Sequence, residues 1–221
     1  MDLEMTTQPQ TGRRARKAAN TRNNILGAAQ ELMAHGGPES LTIAAIAEKA
    51  DIGLGTFYNY FESREMLVDE VILSAVETLG RRLDFLTKDM EDAAEIYSFS
   101  LRHLMNTAVS DPLWGWLMVR LGIAQDGLLA TLGPRASRDL QIGIDSGRFS
   151  IENLRTASAM TFGSLLSVMH TYLLGEIEIN PAELYAENLL RMVGIPAEEA
   201  HEIANRPLPR LPELTEVEAA S

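Results

Sequence analysis

The 221-residue chain contains no cysteine, which removes disulfides, thiolate metal ligands and a cysteine nucleophile together and suits a reducing, cytoplasmic setting. Histidine is scarce as well. His35, His103, His170 and His201 are the only four, and no two stand three or four residues apart, the spacing at which a helix presents a paired metal site. Neither a glycine-rich phosphate loop nor a nucleophile motif is present, so no cofactor, metal or enzymatic chemistry is expected. The N-terminal residues include Arg13, Arg14, Arg16 and Lys17 but no apolar core of the secretory kind, so they are not read as a targeting segment.

Long apolar runs are also rare. Thr156 to Gly175 is free of Asp, Glu, Lys and Arg and is long enough for a membrane span, yet it is broken by serines, threonines and His170. Its small residues Ala159, Gly163, Ser167 and Thr171 recur every fourth position, a smooth stripe that lets another helix approach closely. It therefore reads as a packing helix, with Met160, Leu166, Met169 and Leu173 buried on its other faces, and no membrane partner is expected.

Positive charge is in deficit overall, at a formal −12, but unevenly so. Residues 1 to 64 hold seven basic and seven acidic side chains, leaving twelve basic and twenty-four acidic ones for the remainder. The whole deficit lies in the second part. A neutral to weakly basic head joined to an acidic body separates two functions onto two surfaces and leaves the head open to phosphate.

What the chain does contain is helical periodicity, and no alternating run with hairpin turns argues for a sheet. A first helix is predicted from about Thr21 to His35, with Ile25, Ala29, Leu32 and Met33 on one face and Gly36-Gly37-Pro38 as its stop. Thr42 caps a second, whose Ile43, Ile46, Ala47 and Ala50 share a face. Asp51 falls at a turn that calls for left-handed backbone. A short helix with Phe57 and Phe61 as inward anchors follows, and a long helix starting near Ser63 carries Leu67, Val71, Ala75, Leu79, Leu83 and Leu86 on one stripe, a natural lever between head and body. Asp111-Pro112 and Asn180-Pro181 read as helix starts, Gly133-Pro134 and Gly147 as breaks, and Gly194 with Pro196 as a helix end. The prolines from Arg206 onward predict an irregular, fraying tail.

Helix, tight turn, short helix, turn, helix is the geometry that lays a second helix in a DNA major groove. The residues that carry it are Thr42, Ile46-Ala47, Ala50, the run Gly55-Thr56-Phe57-Tyr58-Asn59-Tyr60-Phe61, and Ser63-Arg64-Glu65-Met66-Leu67. In this run the head resembles the TetR family of transcriptional regulators over about Thr21 to Val71. The resemblance implies an all-α protein with an N-terminal three-helix helix-turn-helix DNA-binding domain and a C-terminal helical ligand-binding and dimerisation domain. It further implies that Thr42, Tyr60 and Arg64 hold phosphates, that Leu54, Gly55, Thr56, Tyr58 and Asn59 lie in or beside the groove, and that the arm from Arg13 to Arg22 adds contacts. Asp51 and Gly53 depart from the family's usual glycine and small polar residue, and Leu54 replaces a commonly polar one, so contact with a thymine methyl is its natural role.

The domains expected are a flexible basic arm at 1–20, the head at 21–67, the body at 68–205 and the tail at 206–221. Specificity calls for two heads on a palindromic double-stranded DNA operator, hence a homodimer, through helices near 151–174 and 181–193. A small, lipophilic effector is expected to release a repressor from that site. Phe99, His103, Trp114, Trp116, Phe162 and Met169 are its candidate contacts, because aromatics and adaptable methionines with a few polar groups suit an apolar pocket, and His170 is a second orienting group. The competing readings are a helical enzyme and a protein-protein adaptor with a vestigial head.

Overall fold

The computed structural model describes residues 11–36, 41–124 and 126–219. Those residues form eleven helices: α1 (Thr11–Gly36), α2 (Ile43–Lys49), α3 (Leu54–Tyr58), α4 (Arg64–Thr87), α5 (Ala93–Ser110), α6 (Pro112–Ala124), α7 (Asp126–Asp145), α8 (Leu154–Leu173), α9 (Ala182–Met192), α10 (Ala197–Ala204) and α11 (Leu214–Ala219). No strand occurs among the described residues. The chain divides into two compact units, Met1–Val71 and Ile72–Ser221, so the border falls inside α4, one turn beyond the expected Leu67.

The helix boundaries follow local chemistry wherever a cap is present. Asp111 accepts the Trp114 N–H at 3.0 Å ahead of Pro112, and Asn180 accepts from Ala182 at 3.0 Å ahead of α9. Helix α9 ends in a paired turn in which Gly194 N–H bonds to Arg191 and Ile195 N–H to Leu190. Gly194 carries a φ of +97° there, a backbone that only glycine adopts cheaply.

Two boundaries differ from the sequence reading. Helix α1 begins at Thr11, ten residues before the expected start, so part of the stretch expected to be a flexible arm is helical. No proline interrupts residues 11–36, and the Arg, Ala and Lys residues there are good helix formers, so nothing local stops the helix from extending. The expected Gly37-Pro38 stop and residues 1–10 of the arm lie outside the described residues. Pro134, expected as a break, is carried inside α7. An interior proline costs an isolated helix about 3 kcal/mol. Here α7 packs against α5, α6 and α8, and Arg135 and Arg138 tie it to α4, which offsets that cost.

The first unit is closed by Ile25, Ala29 and Met33 of α1, Ile46 and Ala47 of α2, and Phe57, Phe61, Leu67 and Val71. In the second, α5 is the central helix, buried along most of its length and packed on α6, α7, α8, α9 and α10. The tail lacks regular structure to Glu213, as its prolines require, yet it is fastened rather than frayed. Arg102 Nη1 donates to the Arg206 carbonyl at 2.8 Å and Arg82 Nε to that of Pro212 at 2.6 Å, and the His103 ring lies beside the backbone of Pro209.

That last contact has a pH signature. Burial, aided by Arg102 and Arg82, pushes the His103 imidazole down from 6.5 to about 4. Between those values the unfolded chain takes up a proton that the folded chain refuses, so stability complete above pH ~6.5 should fall by about 3 kcal/mol as pH drops toward 4. Urea midpoints measured from pH 7 to pH 4.5 check this, and His103→Gln, which keeps a donor but does not titrate, should flatten the fall.

Candidate nucleic-acid interface and effector cavity

The residues assigned to DNA from the sequence gather around one helix-turn-helix of the head, and Arg64 is the charged one among them. Helix α2 starts at Thr42, whose Oγ1 accepts the Ala45 N–H at 3.1 Å while the residue stays exposed. A hydroxyl that accepts in the cap still has its own O–H to give, so Thr42 is able to hold the helix and donate to a phosphate at once. The turn into α3 is made by Asp51 at φ +53°, the left-handed backbone expected for it. Gly53 caps α3 without a side-chain bond, and the helix is only five residues long. Its inner side is anchored by Phe57, fully buried, whose ring lies 5.9 Å from that of Phe61. Outward go Leu54, 54% exposed, Tyr58, 57% exposed, and the exposed Gly55 and Asn59, with Thr56 and Tyr60 half-buried beside them. Ser63 Oγ accepts the Met66 N–H at 3.1 Å and so starts α4, which sets the half-buried Arg64 at its first position.

All eight residues assigned to DNA from the sequence thus lie around one helix-turn-helix, and none is fully buried. The basic residues behind them divide. Arg22 is paired with Glu70 and lies 5.0 Å over the Phe61 ring, so it braces the head's core, whereas Arg16 and Lys17 are exposed on α1. Lys49 is engaged by Glu31 at 2.6 Å.

The second unit holds a partly open cavity. Its walls are aliphatic and aromatic, from Leu83, Leu101, Leu104, Leu132, Phe162 and Leu165, and one side is ionic. There Asp84 of α4 accepts from Arg135 Nε and from Arg138 Nη2, each at 2.8 Å. Glu77, about two turns further back on α4, takes two bonds from Arg135, each at 2.9 Å. Arg138 also reaches Asp139, at 2.8 Å and 3.0 Å. The Arg135 hydrogen bond holds Glu77 below the usual carboxylate range, and Glu77 in turn raises the Arg135 guanidinium. Burial pushes Asp139 the opposite way, upward. Tyr97 Oη and Thr161 Oγ1, which also line the cavity, stand 2.6 Å apart, and burial raises the Tyr97 phenol.

Of the six effector contacts expected from composition, Phe162 lines this cavity and the others lie elsewhere. Phe99, Trp114 and Met169 are buried packing residues. His103 turns to the tail, its Nε2 buried without a hydrogen-bond partner among the described residues. Trp116, 40% exposed, meets the His170 ring edge-on at 5.6 Å. The charged and hydroxyl groups of the cavity were missed. One signal was available: Leu132, Arg135 and Asp139 follow the three-four spacing of a helix face, so α7 carries charge where its apolar stripe should continue.

Helix α8 buries Ala157, Thr161, Phe162, Leu165 and Met169 on one side. Its other side leaves Ala159, Met160, Gly163 and Ser167 exposed, so Met160 is not buried within the single chain as expected. Leu184 of α9 is 64% exposed. Among the described residues no helix is long and apolar enough to cross a membrane, and no group of three His, Asp or Glu is placed to hold a metal ion.

Two segments match known families: residues 25–71 the bacterial regulatory proteins of the tetR family, and residues 92–206 the tetracyclin repressor-like C-terminal domain. Among curated relatives, the HTH-type transcriptional repressor KstR of Mycolicibacterium smegmatis is 34% identical over 73 residues, 33% of this chain and 32% of that protein. The HTH-type transcriptional regulator UidR of Escherichia coli is 38% identical over 61 residues, 28% of this chain and 31% of UidR. The chain thus spans about a third of the length of the curated relatives it matches. Solved structures extend the likeness. RolR in complex with resorcinol is 42% identical, with a TM-score of 0.80 over 90% of this chain and 100% of RolR. FadR of Bacillus subtilis with stearoyl-CoA, at 20% identity, TM-score 0.62 and coverage of 79% and 99%, shares the fold.

Proposed function

The chain belongs to the TetR family of bacterial transcriptional regulators, and from that premise we propose that it is a dimeric repressor released from a palindromic operator by a small hydroxylated aromatic molecule. The observation that carries the effector class is the cavity of the second unit, where an aliphatic and aromatic interior meets a wall of Asp84, Arg135, Arg138 and Asp139. An aromatic ring fits the former, and phenolic hydroxyls, which both donate and accept, fit the latter. The 42% identity to RolR, whose structure holds resorcinol, supports the same class. Such a ligand is more polar than the lipophilic one that composition suggested.

The dimer is read from the exposed face of α8 with Leu184 of α9, where small residues and Met160 offer a smooth surface for a twofold mate and the four helices would form a bundle. Helix α4 starts at Arg64 in the head and carries Asp84 to the cavity wall, so an effector that rearranges this carboxylate acts on a helix that the head shares. Inverting the population of two head arrangements takes about 5.5 kcal/mol of differential binding, which two cavities share.

The test is to select bound DNA from a random pool and then to titrate resorcinol into the complex. A palindrome released by resorcinol supports the reading, and stable occupancy at saturating resorcinol defeats the effector class. On the selected site Thr42→Ala and Tyr60→Ala should each weaken binding by about 1 kcal/mol per head, equally for all sequences. Asn59→Ala should instead change the preferred bases, as a second selection would reveal.

A further inference from the structure

Gly80 lies in the middle of α4, buried, between Glu77 and Asp84. A glycine there weakens the helix, and alanine would be the favoured residue if the backbone were all that mattered. The space beside it is taken. A Cβ built at Gly80 would stand 2.8 Å from Arg135 Cζ and 2.9 Å from its Nε and Nη1, closer than real Cβ contacts come. The guanidinium of α7 therefore rests directly on the bare backbone of α4. From that seat it spans the two-turn gap between the carboxylates, giving Nε to Asp84 and both terminal nitrogens to Glu77. Asp84 then has its other oxygen set for Arg138, and Arg138 holds Asp139, so the ionic wall of the cavity is ordered from this one seat.

We propose that Gly80 is a positioning residue for the effector site: its missing side chain seats Arg135, and through Arg135 and Asp84 it fixes the polar groups that the ligand meets. The inference rests on the reading of this cavity as the effector site. What an added Cβ would strike is the far end of a flexible side chain, which is partly solvent-accessible and free to swing outward, so the fold tolerates the change. The ionic wall does not, because the swing breaks three hydrogen bonds together.

Calorimetric titration of resorcinol into the full-length chain tests this, with melting curves alongside. Gly80→Ala should lose affinity by about tenfold or more while its melting temperature stays level or rises, since the helix gains a better former. Arg135→Lys, whose ammonium cannot bridge both carboxylates in the same fork, should itself bind weakly. Added to that background, Gly80→Ala should cost less than about threefold further, because the group it displaces is gone. A smaller loss in Gly80→Ala alone, a threefold or greater further loss on the lysine background, or a collapse of the melting transition each overturns the proposal. Failure of the unaltered chain to take up resorcinol overturns the effector reading first, and this inference with it. Uptake by the unaltered chain matched by Gly80→Ala overturns this inference alone.

Discussion

Phe57→Ala is expected to abolish operator binding by unfolding the head. Phe57 is fully buried, stacks obliquely on Phe61 and meets the Tyr58 ring edge-on at 5.5 Å. Removing a buried phenylalanine costs about 3–5 kcal/mol, and a unit of some sixty residues has a total stability of only about 3–9 kcal/mol. The balance is worse for α3 than for the longer helices. Isolated helices shorter than about 12 residues are marginal in water, and α3 has five residues with no side-chain cap at Gly53. Its one internal anchor is Phe57. Gel shifts on the selected operator should show no complex at protein concentrations about 100-fold above the unaltered Kd, equivalent to the loss of ~2.7 kcal/mol or more. Tyr58→Ala is the control: its ring is 57% exposed, so stability should change by no more than about 0.5 kcal/mol while DNA affinity falls. An operator affinity retained in Phe57→Ala would show that α3 is held by something other than its aromatic anchor.

Asp84→Asn should convert the effector preference from neutral to anionic aromatics. In the native chain Asp84 bonds both cavity arginines, each through its own oxygen at 2.8 Å, and Glu77 and Asp139 complete their pairing, so the wall offers no uncompensated cation to a carboxylated ligand. The amide keeps the shape but not the charge, and its NH2 group faces a guanidinium donor, which breaks one of the two bonds. A hydrogen bond to a charged group contributes about 1.5–3 kcal/mol, so resorcinol should bind roughly 10- to 100-fold more weakly. A dihydroxybenzoate of the same ring size should gain affinity, because the wall then sets one carboxylate fewer against the same two guanidinium groups, which keep Glu77 and Asp139 as partners. Calorimetry with the two ligands gives the sign of each change. Operator complexes of the variant should also resist release by resorcinol, giving a repressor that stays bound. Unchanged affinity for both ligands would remove Asp84 from the site.

The head was legible because its determinants are close in sequence. Thr42 three residues before Ala45, Ser63 three before Met66, Asp51 at a turn and Phe57 four before Phe61 are fixed by the pitch of a helix and by the hydrogen-bonding reach of short side chains. The Asp111-Pro112 and Asn180-Pro181 helix starts were legible for the same reason. The cavity was not. Asp84 meets Arg135 across 51 residues, and Tyr97 meets Thr161 across 64, and no local pattern encodes either pairing. Composition pointed to aromatics and methionines, but those types fill any helical core, and Phe99, Trp114 and Met169 do so here.

The sequence by itself determined the helical content, the helix-turn-helix, the sides of its short helix that face in and out, and the separation of a near-neutral head from an acidic body. Those properties depend on residues within one or two turns of each other. Tertiary structure alone decided that α7 runs through Pro134, that His103 serves the tail, and that Arg135 lies on Gly80 to order an ionic wall. Each needs groups from distant segments to meet, and the spacing of residues along one helix does not specify which segments those are.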